Sequence, residues 1–128
     1  MDNGEYMTAQ RSDLLKYNDK TYSILKKSGG LIFNPRGHAL VLKPLVTSNR
    51  RGWYATYSVR NDKLYLDALT VCGKIKTFQD INGTSPLVSE ESNAELGLGS
   101  AEYMFADYEM KYSGDIYWYN EQWCSNNI

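Results

Sequence analysis

The sequence predicts an α+β protein that is mainly β, a twisted antiparallel sheet of about six or seven strands built from hairpins, with one or two short helices. Three observations predict it. Asn-Asp pairs at Asn18-Asp19 and Asn61-Asp62 separate runs rich in β-branched and aromatic residues, and this dipeptide tolerates the positive φ of a two-residue hairpin turn. The flanking runs alternate apolar with polar side chains, the period of a half-buried strand. Eleven tyrosines stand against three phenylalanines, so most large rings carry a hydroxyl, which suits half-buried sheet faces and contact surfaces better than a dry core.

In chain order, the first hairpin joins strands near Leu14 to Tyr17 and Lys20 to Leu25. Ser28-Gly29-Gly30 and Asn34-Pro35-Arg36-Gly37 follow as loops. Ala39 to Val46 reads as a further strand, which Pro44 confines to an edge because it has no N–H to donate. The strongest local signal is Trp53 to Arg60, the turn Asn61-Asp62, and Lys63 to Val71. With that turn, Val59 faces Leu64, Tyr57 faces Leu66 and Ala55 faces Ala68, making one face apolar, while Thr56, Ser58, Arg60, Lys63 and Asp67 take the other. Between Thr84 and Ser100, Ser89 followed by Glu90, Glu91 and Glu95 predicts a short helix with Ser89 as its N-cap, stopped by Gly97 and Gly99. A third hairpin runs from Tyr103 to Tyr112, turns at Ser113-Gly114 and returns from Asp115 to Tyr119. Its alternation sends Met104, Ala106, Tyr108, Met110 and Tyr112 inward, with Tyr117 and Tyr119. Tyr112 then pairs with Asp115, which sets Glu109 opposite Trp118 on the outward face.

A chain of 128 residues fits one domain, residues 1–128, since a single core is normally built from about 100 to 150 residues; residues 1–12 read as a flexible N-terminal tail. Neither a signal peptide nor a membrane span is visible, the longest apolar run being Ala39-Leu40-Val41-Leu42, so the expectation is a cytoplasmic protein without a membrane partner. Cys72 and Cys124 lack metal or redox spacing and read as free structural thiols.

Candidate chemistry is sparse. The single histidine, His38, lies in a loop with no nucleophile or carboxylate at a fixed spacing, so it reads as a loop or core residue. Asp107 and Glu109, two apart on one strand face, are conceivable as the pair of a small carboxylate-dependent hydrolase, although such pairs are common on solvated faces. Arg50 and Arg51 beside Trp53 raise a single-stranded nucleic-acid module, in which cations track phosphates and rings stack on bases. A formal charge of −1 and the register of Trp53 with the apolar face of its hairpin disfavour it. No phosphate-cradling loop, dinucleotide fingerprint or metal-spaced set is present, and no cofactor is expected.

The charge is split along the chain. Residues 1–76 hold 13 Lys and Arg against six Asp and Glu; residues 77–128 hold one against nine. In the second part Lys111 is the sole cation among Glu102, Asp107, Glu109, Asp115 and Glu121, with Trp118 close in sequence. An acidic aromatic surface suits a cationic protein partner, because charge speeds encounter and rings anchor the complex.

Arg51-Gly52-Trp53-Tyr54-Ala55-Thr56-Tyr57, continued by Asp62-Lys63-Leu64-Tyr65-Leu66, resembles a family of small uncharacterised bacterial proteins that share an arginine-glycine-aromatic strand, a turn and a leucine-tyrosine-leucine strand. Phe105-Ala106-Asp107-Tyr108 and Ser113-Gly114 are similar to a second stretch of that pattern, so the resemblance covers roughly residues 13–118. It implies a bacterial, β-rich domain and carries no activity. Size, the lack of catalytic motifs and the acidic region lead to one functional expectation: an immunity protein that binds and neutralises a basic toxin domain, such as a nuclease, through Glu102, Asp107, Glu109, Asp115 and Trp118. The assigned core has its own consequence. Tyr57→Ala or Leu66→Ala is expected to lower unfolding free energy by about 2 to 5 kcal/mol, the range for large-to-small core changes, measured by chemical denaturation.

Overall fold

Both Asn-Asp pairs make the turns their chemistry requires. A computed structural model describes residues 11–44, 49, 51–90 and 96–124. In it Asn18 and Asp19 (φ 53° and 66°) join β1 (Leu14–Tyr17) to β2 (Lys20–Ser23), and Asn61 and Asp62 (φ 52° and 62°) join β4 (Trp53–Arg60) to β5 (Lys63–Lys74). Between them lies the two-residue β3 (Lys26–Lys27). The remaining strands are β6 (Leu87–Glu90), β7 (Leu98–Glu109), β8 (Asp115–Trp118) and β9 (Glu121–Cys124). They form a six-stranded sheet in the order β2-β1-β4-β5-β7-β6 and a three-stranded sheet in the order β3-β8-β9. The protein is mainly β, and its short helical pieces are the 3-10 turns Pro35–His38 and Ile75–Thr77.

The register of β4 and β5 begins as the turn dictates, with Val59 opposite Leu64 and Tyr57 opposite Leu66. It then slips by one residue at Asp67, so Thr56 faces Ala68 and Ala55 faces Leu69, where unbroken alternation expects Ala68 opposite Ala55. β7 bulges at the same place: Leu66 pairs with Tyr108 but Ala68 with Met104, leaving Phe105-Ala106-Asp107 to face Asp67. A bulge reverses which parity of residue points inward. On β5 the core therefore receives Leu64 and Leu66, then Leu69 and Val71; on β7 it receives Ala101, Tyr103 and Phe105, followed beyond the bulge by Tyr108, Met110 and Tyr112. Met104 and Ala106, expected inside, are exposed. One inner row, Tyr22-Leu15-Tyr57-Leu66-Tyr108, crosses five strands without interruption.

Four further expectations are corrected. The sheet contains a parallel pair, because β1 lies alongside β4 with Leu14 at Thr56 and Leu15 at Tyr57. Where the Ser89-capped helix was expected, Leu87–Glu90 is a strand on β7; residues 91–95 of that stretch lie outside the described residues. Of the strand expected over Ala39 to Val46, one bridge forms, Leu42 to Gly73, and residues 45 and 46 lie outside the description. It depends on glycine, since a Cβ at Gly73 would collide with the Val41 carbonyl oxygen. The third hairpin does not form. β8 pairs instead with β3 and β9, and Ser113-Gly114 packs against Ser28-Gly29, where Asp115 donates its N–H to Ser28 Oγ at 2.8 Å and Gly29 donates to the Tyr112 hydroxyl at 2.8 Å. The end of β8 turns instead at Tyr119-Asn120, with Asn120 at φ 60°, into the unforeseen β9. Of the expected tail, residues 1–10 lie outside the description.

The parallel pair has a polar origin. Asp13 is buried, and its carboxylate accepts the Ala55 N–H at 2.9 Å and is paired with the Arg51 guanidinium. Its backbone oxygen accepts from Ile24 N–H at 2.9 Å. Arg51 in turn donates Nε–H to the Trp53 carbonyl at 2.7 Å and lies 3.7 Å over the Trp53 ring. Replacing Asp13 by Ala leaves a buried N–H unpaired and removes the carboxylate that faces a partly buried guanidinium, so Asp13→Ala is expected to cost about 2 to 4 kcal/mol in denaturant titration.

Two core phenols give a second test. Burial, with Asp80 nearby, pushes Tyr103 up to about 12, and burial reinforced by Asp13 holds Tyr57 higher still. A phenol that binds its proton more tightly when folded adds stability that is complete below the ordinary value of 10.0 and is lost as pH rises through the folded value. Stability should therefore fall as pH climbs from about 10 to 12, with a shallower slope in Tyr103→Phe. Denaturation midpoints across that range measure it.

Candidate partner-binding surface

Sheet order carries the charge split of the chain into space. β2, β1, β4 and β5 hold Lys20, Lys16, Arg60, Lys63 and Lys74 against the single acid Asp67, whereas β7 and β6 hold Glu102, Asp107, Glu109 and Glu90 with no cation. Asp67 is itself engaged, accepting from Ser58 Oγ at 3.0 Å and pairing with Arg60 at 3.5 Å. One end of the large sheet is thus cationic and the other acidic.

The acidic end also exposes apolar side chains. The phase reversal at the bulge turns Met104 out to 65 % exposure, and Leu87 on β6 stands at 73 %. Both belong to the outer face: Leu87 is opposite Glu102, Glu102 opposite Thr70 and Thr70 opposite Tyr54, with Met104 opposite Ala68 in the next row. Glu102 is therefore a solvated carboxylate among aliphatic neighbours. Asp107 is exposed in the bulge, and Glu109, at the end of β7, holds Lys111 at 3.2 Å. That pair is solvated, with the lysine 85 % exposed, and contributes little to stability.

The other two expected contact residues lie elsewhere. Trp118 is buried at 3 %, stacked on Tyr22 (ring centroids 5.0 Å apart) and edge-on to Tyr17 (5.8 Å). It joins the small sheet to the β1-β2 hairpin, at the side of the large sheet away from β7, so Glu109 is not its cross-strand partner and the ring is not offered to solvent. Asp115, half-buried on β8, accepts the Tyr117 hydroxyl at 3.1 Å. That hydrogen bond raises the Tyr117 phenol, and another to Asp115 raises the Cys124 thiol, which disfavours the nucleophilic thiolate. Cys124 and Cys72 are both thiols rather than halves of a disulfide, and Cys72 Sγ accepts from Asn49 Nδ2 at 3.4 Å.

No family model, curated protein or solved structure matches this chain.

The competing chemistries fare differently. Trp53 is buried at 4 % and Arg51 is engaged with Asp13, which removes the stacking platform of the nucleic-acid reading; Arg50 lies outside the described residues. His38 closes a 3-10 turn and stacks on Phe33 at 5.2 Å, a packing role. Asp107 and Glu109 are separated in setting, one solvated in a bulge and the other beside an ammonium. Among the described residues no group of His, Cys, Asp and Glu is arranged to hold a metal ion, and no helix is long and apolar enough to cross a membrane. A groove of about 550 Å³ between the two Asn-Asp hairpins has Lys16, Lys20 and Arg60 in its lining together with the carboxylates of Asp19 and Asp67.

Two residues of the surface, Met104 and Leu87, escape a reading by pattern. Tyr103 and Phe105, the larger rings at odd positions, were the available signal for Met104; for Leu87 it was the Pro86-Leu87-Val88 run, which favours a strand start over a helix.

Proposed function

We propose that the protein is a partner-binding protein, an immunity protein of a bacterial cytoplasm that neutralises a basic toxin domain through the acidic end of its large sheet. The observation that supports this reading is the outer face of β7 and β6, where Glu102 lies between exposed Leu87 and Met104 with Asp107 close along the strand. Carboxylates on that end attract a cationic partner over the Debye length, and desolvated aliphatic contacts then hold it. Such a surface suits occlusion of a basic cleft, the part of a nuclease that must meet phosphate. Trp118 is assigned to the fold, and Asp115 to the small sheet, so neither is part of the proposed contact.

The test begins with the native host lysate: the partner is captured, identified and purified, and its affinity is measured at low and high salt. Met104→Ala should weaken binding about tenfold at either salt concentration. Glu102→Ala and Asp107→Ala should slow association at low salt and lose that effect at high salt. Trp118→Ala should lower stability rather than contact energy. Unchanged affinity in the three surface variants, with folding intact, would place the contact elsewhere.

A further inference from the structure

We infer that β6 is an open strand to which an extended basic segment of the partner protein adds, lengthening the large sheet by one strand; this inference rests on the reading of the acidic end as the contact surface. Every residue of β6 is exposed, so the strand adds no buried side chain to the core. It is held by its pairing with β7, from Leu87 at Glu102 to Glu90 at Gly99, and no strand covers its other edge among the described residues. An edge strand of this kind presents unpaired N–H and C=O groups to any extended chain that approaches. Natural edges are commonly blunted by lysine, and β6 carries none.

Its side chains select the occupant. Leu87 and Ser89 point to the outer face, where Glu102 lies one strand away; Val88, opposite buried Ala101, points toward the rim of the core and remains 41 % exposed. A strand laid against β6 would cover Val88 with one parity of its residues. The other parity would lie over Leu87, where a lysine or arginine can pack its aliphatic stem on the leucine while its charge reaches Glu102. The best fit is therefore an alternation of basic and aliphatic residues. A second copy of this chain fits less well. Pairing β6 with β6 would bring the four carboxylates of one acidic end against four of the other, and pairing β6 with β2 would produce an open-ended series of copies rather than a closed assembly.

The probe is a capped peptide of about six residues alternating lysine and valine, compared with a version carrying glutamate for lysine, in amide-resonance titrations of the ¹⁵N-labelled full chain. The lysine peptide should shift resonances of residues 87–90 and 98–104, the glutamate peptide should not, and Leu87→Lys should weaken binding about tenfold. Because Leu87 is largely solvated, that substitution leaves folding intact, which the spectrum of the free variant verifies. Shifts centred on another element, equal binding of the two peptides, no shifts, or concentration-dependent self-association of the free chain would each overturn strand addition. With the natural partner in hand the two readings separate. Loss of affinity in Met104→Ala with none in Leu87→Lys retains the surface and rejects the added strand, whereas no loss in either rejects both.

Discussion

The fold depends on one buried carboxylate. Asp13 stands immediately before β1, and it meets three groups that belong to different parts of the chain: the Arg51 guanidinium, the Ala55 N–H of β4 and, through its own carbonyl, the Ile24 N–H beyond β2. A carboxylate buried at 5 % exposure is tolerable only when its hydrogen-bonding capacity is met, so these partners must assemble together or not at all. With the start of β1 anchored there, the strand runs parallel to β4 and places Leu15 beside Tyr57 in the inner row. The hairpin β1-β2 then presents Tyr17 and Tyr22 to Trp118, and that aromatic contact seats the small sheet. A local polar requirement thus propagates into the arrangement of both sheets.

A second constraint acts at the middle of the large sheet. Asp67 is an extra residue relative to β4, held by Ser58 and Arg60, and three residues of β7 bow around it. Without the bulge, Leu69 and Val71 would face water and Met104 would face the core. With it, the inner face stays apolar across its length while the outer face gains an aliphatic side chain beside Glu102. The same irregularity that completes the core therefore also exposes Met104 at the acidic end, since a bulge re-aims the side chains beyond it.

What was legible in the sequence was local. Asn18-Asp19 and Asn61-Asp62 announce their turns because few other dipeptides accept two positive φ angles in succession, and Tyr57 with Leu66 follows from the second turn by counting. The choice of a distant partner left no such mark. Asp115 to Trp118 alternates as a hairpin strand should, yet it pairs with Lys26-Lys27 because the backbones of Gly29 and Gly114 approach too closely to admit a Cβ at either. Nor does alternation reveal its own breaks, so an unbroken count from Tyr112 back to Met104 reverses the faces beyond Asp107. The same count sets Trp118 on the outward face opposite Glu109. Its burial follows from β1 and β2, more than ninety residues earlier in the chain. The candidate surface was correspondingly half legible: Glu102, Asp107 and Glu109 stood out by charge, Leu87 and Met104 did not.

The order of strands also explains why an acidic surface survives folding at all. A chain with 13 cations against six acids in its first part and one against nine in its second would ordinarily neutralise itself by interleaving the two. Here β1 enters beside β4, on the side away from β7, so the cationic hairpin is carried to the far edge and β5 alone borders the acidic strands. Placed next to β7 instead, Lys16 and Lys20 would have met Glu102 and Asp107 within a strand spacing, about 5 Å, and cancelled most of their field. The sheet is about five strand spacings across, some 24 Å, which exceeds the roughly 8 Å Debye length of physiological salt. The two ends are consequently screened from one another while each remains strong toward whatever approaches it. Asp13, by anchoring β1 beside β4, keeps the carboxylates of β7 and β6 away from Lys16 and Lys20 of the first hairpin.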